Sequence, residues 1–110
     1  RRGKPSNHKV FGEALALLAG DNLLVLANEL LLNERANTIA AENLLKVAAG
    51  LAAATGAAGM VGGQVLDMEL TGADFSQLEK EQIGKQLSKI HERKTAALLS
   101  FSVWSGACLL

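Results

Sequence analysis

"KQLSKIHERKTAALLSF", residues 85–101, is the stretch on which the reading of the fold turns. At 100° per residue, Leu87, Ile90, Ala97, Leu98 and Phe101 fall within one sector. Lys85, Lys89 and Arg93 fall outside it. An apolar face with this period predicts a helix packed on other helices, starting near Lys85 and running to the C-terminus. The same period extends backwards through the chain. "TGADFS" (residues 71–76) reads as a turn, with Gly72 and Asp74 as breakers. A helix is expected over roughly Ala57–Leu70 and another over Ile39–Ala54, separated at Thr55–Gly56. "NERANT" (residues 33–38) reads as a connector, with Thr38 as a helix cap and Glu42 in the first turn. A first long helix, Glu13–Leu32, carries Leu15, Leu18, Leu24 and Leu31, and Gly20 is a point where it can bend. No strand-like alternation and no fixed-period repeat occurs, so the predicted class is all-α, a bundle of long helices.

With 110 residues the chain suits one domain or part of one. Hydrophobic residues at 49% against 20% charged exclude a disordered chain. Eleven basic and eleven acidic residues cancel, which argues against a generic nucleic-acid or membrane-surface binder. Anion recognition must then come from local clusters. One such cluster is "RRGKPSNHK" (residues 1–9), with Arg1, Arg2, Lys4, His8 and Lys9 and no acid before Glu13. The lone Cys108 allows no intrachain disulfide and no zinc framework, and is expected as a buried thiol. Val47–Leu66 is uncharged, but its five glycines, its alanines, Thr55 and Gln64 make it too weakly apolar for a membrane span. Gly59 and Gly63 in that stretch have the G-x-x-x-G spacing of tight helix packing. The expectation is a soluble protein without a membrane span. No methionine precedes Arg1, and the chain closes on "ACLL" in an apolar run, so a fragment cut at both ends is expected.

Polar residues in phase with apolar stripes carry the functional signal. Lys94 falls in the middle of the apolar sector of residues 85–101. Burying an unpaired ammonium costs several kcal/mol, so Lys94 needs an anion. A snorkelling stem or a structural ion pair would satisfy it, and so would an anionic ligand. In the preceding helix Ala57, Met60, Val61 and Met68 share a stripe with Gln64 at its centre and Asp67 at its edge. "GGQVLD" (residues 62–67) would thus aim an amide and a carboxylate inward, as a structural hydrogen-bonded pair or as a ligand contact. Asp21 in "AGDNLL" reads as a buried or kink-associated acceptor. His8 and His91 lack partners at metal-ligand spacing. Paired arginines can fork onto phosphate oxygens, so the deduced ligand is phosphorylated with an apolar body.

These motifs resemble those of trans-isoprenyl diphosphate synthases. "RRGKPSNHKVFGEALALLAGDNLL" (residues 1–24) is similar to the segment that follows the family's first aspartate-rich motif. "GMVGGQVLDM" (59–68) resembles its G-Q-x-x-D helix, and "IHERKTAALL" (90–99) its H-x-x-K-T-A-A-L element. The order is the family's, nearest to geranylgeranyl diphosphate synthases of plastid and bacterial type. Ser6 stands where threonine is usual, and residues 73–89 are more polar than expected. The resemblance implies the large isoprenoid-synthase helical bundle, usually dimeric, with residues 1–110 as the central portion of one synthase domain. It implies condensation of isopentenyl diphosphate with an allylic diphosphate. Arg1, Lys94 and Thr95 would bind the allylic diphosphate and Arg2 the isopentenyl diphosphate, with Thr95 and Gln64 near the developing cation. Asp67 would support the region of Lys94 and the metal. Magnesium would be held by aspartates outside these residues, with no metal ligand inside them. A cytoplasmic or plastid-stromal homodimer is implied. The alternative is a non-catalytic regulatory subunit of a heteromeric synthase. Such subunits carry C-x-x-x-C pairs, whereas Cys108 is single here and the arginine and K-T motifs are intact.

Overall fold

The structure is a computed structural model that describes residues 3–34, 38–73 and 79–109. All regular structure among the described residues is helical. The chain forms two compact units, Arg1–Ala40 and Ala41–Leu110.

In the first unit, α1 (Asn7–Phe11) is separated from α2 (Glu13–Glu29) by Gly12, whose φ of 86° breaks the helix. A π-helical turn, Leu30–Glu34, continues α2. Helix α2 runs unbroken through Gly20, and Asp21 is exposed on it rather than buried. The unit buries no residue of α1 or α2, and Leu17, Leu18, Leu23 and Val25 are all exposed. Its apolar residues surround the axis instead of forming one stripe, the pattern of a helix meant for an apolar interior.

The second unit consists of α3 (Ala41–Thr55), α4 (Met60–Thr71), α5 (Lys80–His91), a π-helical turn (Glu92–Ala96) and α6 (Ala97–Leu109). Helix α3 begins at Ala41, so Thr38 does not stand immediately before it. Leu44, Val47, Leu51 and Ala54 form its buried stripe, and α3 packs against α6. Phe101 and Trp104, with ring centroids 6.1 Å apart, lie over Gly50. A Cβ there would come within 2.7 Å of Trp104 Cζ3, so a side chain at position 50 would force the aromatic pair to shift. Thr55, also buried, donates its hydroxyl to the Leu51 carbonyl at 2.7 Å.

The long C-terminal helix expected from Lys85 starts earlier and is interrupted. The Gln82 amide oxygen accepts the Glu79 N–H at 3.3 Å, and Lys85 pairs with Glu81 at 2.7 Å, which together support an additional turn from Lys80. The π turn then adds a residue per turn and shifts the phase between α5 and α6. Ile90 is 3% exposed whereas Leu87 is exposed. Part of the 71–76 turn lies outside the described residues, and Cys108 is half-buried rather than buried.

Two stretches, Glu13–Asn33 and Ala41–Thr71, are long and apolar enough to cross a membrane by length and composition, so the run containing Val47–Leu66 is more apolar than its glycines and alanines led us to expect. The second is broken between α3 and α4 and packs part of its surface within its own unit.

Candidate functional site

Helix α4 meets the π turn of residues 92–96 through a glycine. Gly63 is buried, and a Cβ on it would lie 2.3 Å from the Lys94 nitrogen, 2.7 Å from its Cα and 2.9 Å from the Arg93 carbonyl carbon. Two backbones therefore touch at this crossing with no side chain between them. On α4, Leu66, Asp67 and Leu70 share the sector of Gly63, since they follow it by three, four and seven residues. The crossing thus brings Asp67, one turn beyond Gly63, beside Lys94. The Lys94 ammonium donates a hydrogen bond to Asp67 Oδ2.

This pair is the candidate site. Its side chains are 38% and 37% exposed, so solvent reaches both charges. A lysine ammonium has three N–H donors. Asp67 takes one, and the remaining donors can meet a second anion. The anion that sequence periodicity required for Lys94 is, in this structure, the carboxylate of Asp67.

The structure does not bring the other expected residues to this contact. Gln64 is exposed rather than aimed into the unit, because it follows Gly63 directly and so points about 100° away. It lines an open apolar groove of about 320 Å³ with Met60, Val61 and Val65. The stripe centred on Gln64 is therefore the open face of α4, and the face through Gly63 and Leu70 is the packed one. Thr95 is exposed in the π turn. Arg1 and Arg2 lie outside the described residues. Among the described residues no group of three or more His, Cys, Asp or Glu side chains could hold a metal ion. Asp67, the carboxylate at this contact, is engaged by Lys94. Sequence phasing missed Gly63 as the organiser of the site, although the Gly59–Gly63 spacing carried the signal.

Compared with known families, the sequence matches the profile described as polyprenyl synthetase over residues 1–110. The chain belongs to the polyprenyl synthetase family. It is 50% identical over 109 residues to a farnesyl diphosphate synthase of Bacillus subtilis (strain 168), covering 99% of this chain and 34% of that protein. It is 45% identical to a chloroplastic geranylgeranyl pyrophosphate synthase of Capsicum annuum, covering 99% of this chain and 28% of the relative. A geranylgeranyl diphosphate synthase of Cyanophora paradoxa is 43% identical, with 99% and 34% covered. The chain spans about a third of the length of these curated relatives. Their names divide between farnesyl and geranylgeranyl products, so membership of the polyprenyl synthetase family fixes the class without fixing the chain length.

Proposed function

We propose that residues 1–110 are the central portion of a single polyprenyl synthase domain that condenses isopentenyl diphosphate with an allylic diphosphate. The observation that carries this reading is the Lys94 ammonium, held by Asp67 yet partly open to solvent. In the reaction the allylic carbon–oxygen bond breaks and the diphosphate leaves with the electron pair. The double bond of isopentenyl diphosphate attacks the cation, and a proton is then lost from the adduct. Lys94 donates to the departing diphosphate, where negative charge develops, together with Arg1 and Thr95. Arg2 binds the diphosphate of isopentenyl diphosphate through its planar fork. Thr95 and Gln64 offer oxygens to the cation from the open face. Asp67 orients Lys94.

Magnesium, bound by residues outside this segment, would supply further charge for the leaving diphosphate. The product favoured is geranylgeranyl diphosphate. The all-round apolar surface of α2 suits the interior of a larger helical bundle, and a soluble homodimer of the cytoplasm or plastid stroma is part of this reading.

The complete protein, supplied with magnesium, isopentenyl diphosphate and allylic diphosphates of increasing length, is expected to release a longer trans-prenyl diphosphate. Chromatography of the dephosphorylated alcohols identifies the product. Absence of any prenyl transfer with all of the allylic substrates would overturn the reading. A farnesyl product alone would overturn only the chain length.

A further inference from the structure

We infer that Gly63 is a positioning residue for Lys94: its missing side chain lets α4 rest on the Arg93–Lys94 peptide and sets where the ammonium is presented. The inference rests on the proposed prenyl transfer. The three nearest neighbours of a Cβ at position 63 are all backbone atoms of the π turn, at 2.3, 2.7 and 2.9 Å. A flexible side chain could swing aside from such an overlap, but a backbone peptide cannot. With alanine at 63, α4 and the turn must separate by about 1 Å before reaching ordinary contact. Lys94 would move with the turn, whereas Asp67 would stay with α4.

The π turn makes this contact specific. A turn closed by i→i+5 bonds is wider than an α turn, and single π turns commonly stand at functional positions. Residues 92–96 form that wider turn, and the peptide opposite Gly63 lies within it. The recess at Gly63 and the bulge at Lys94 are complementary. Two other glycines of the same unit provide controls. Gly50 is also closely covered, but by the side chains of Trp104 and Phe101, and not by the turn carrying Lys94. Gly84, on α5, has nothing within 4 Å of a Cβ.

The test compares Gly63→Ala, Gly50→Ala and Gly84→Ala in the complete synthase, by steady-state kinetics in each substrate and by thermal melts. Gly63→Ala is expected to lower kcat/KM for the allylic diphosphate by up to about 100-fold, the scale for a misplacement near 1 Å. Its KM for isopentenyl diphosphate should stay within about twofold, because the shift is confined to the group facing the other diphosphate. Gly50→Ala should lower the melting temperature and leave both KM values unchanged. Gly84→Ala should alter neither kinetics nor melting downward. Calorimetric titration with inorganic pyrophosphate gives a second readout, and Gly63→Ala should bind it more weakly than Gly50→Ala does.

Trimethylamine N-oxide, which favours compact states, is included if Gly63→Ala melts near the assay temperature. Folded Gly63→Ala with unchanged allylic kinetics and pyrophosphate binding would overturn the inference. So would equal effects on both substrates, or a variant that stays unfolded even with the osmolyte, since the glycine would then serve the fold at large. If the unsubstituted synthase shows no prenyl transfer, it is the proposed function that fails.

Discussion

Replacing Lys94 with alanine removes the ammonium and leaves the carboxylate of Asp67 behind. Two effects have to be separated, loss of fold and loss of a donor. Both side chains of the pair are more than a third exposed, at 38% and 37%, so water can rehydrate Asp67 once its partner is gone. Pairs with this exposure contribute about 0–1 kcal/mol, and the fold should survive. The effect on the reaction is larger, because the diphosphate gains charge as the allylic bond breaks. Removing one preorganised donor from such a site costs about 10²–10³-fold in turnover, about 3–4 kcal/mol. Lys89→Ala is the matched control. That lysine is exposed on α5 and lines a cavity of about 370 Å³ with Glu69, Gln86 and Ile90. It should leave turnover within about twofold, as an exposed charge does. The assay is steady-state prenyl transfer by the complete synthase, with a melt of each variant. Unchanged turnover in Lys94→Ala would refute the assignment. Equal losses in both variants would point to long-range charge, and a collapsed melt for Lys94→Ala would mean that the pair is structural.

Ile90→Ala should destabilise the complete enzyme by about 2–5 kcal/mol, read as a lowered melting temperature, because Ile90 is only 3% exposed and its loss leaves a void beside Leu70. Thr55→Val should cost about 1 kcal/mol by the same measurement, since the buried hydroxyl donates to the Leu51 carbonyl at 2.7 Å. The 110-residue polypeptide alone, given magnesium and both substrates, should form no product by radiolabelled prenyl transfer, because its described residues supply no metal-ligand cluster for the leaving diphosphate. Steady product formation by that polypeptide would overturn the placement of the metal ligands outside it.

Periodicity by itself determined the all-α class, because Leu87, Ile90, Ala97, Leu98 and Phe101 fall in one sector at 3.6 residues per turn and no strand-like alternation competes. It also singled out Lys94 as a charge in phase with an apolar face, which left a snorkelling stem, an ion pair or an anionic ligand to satisfy it. The family was legible in "GMVGGQVLDM" and "IHERKTAALL", whose residue types and order are specific. Which face of α4 packs was decided only by the tertiary structure. Counting apolar side chains favours Met60, Val61 and Met68, but a backbone contact at Gly63 has no side chain to count. The phase of the last helix was hidden for a related reason. A π turn changes the rotation per residue without changing composition, so a constant 100° step carries Leu87 inward although it is exposed. The choice of Asp67 as the anion facing Lys94 likewise belongs to the tertiary structure. The two residues are 27 positions apart, and only the crossing at Gly63 makes them neighbours.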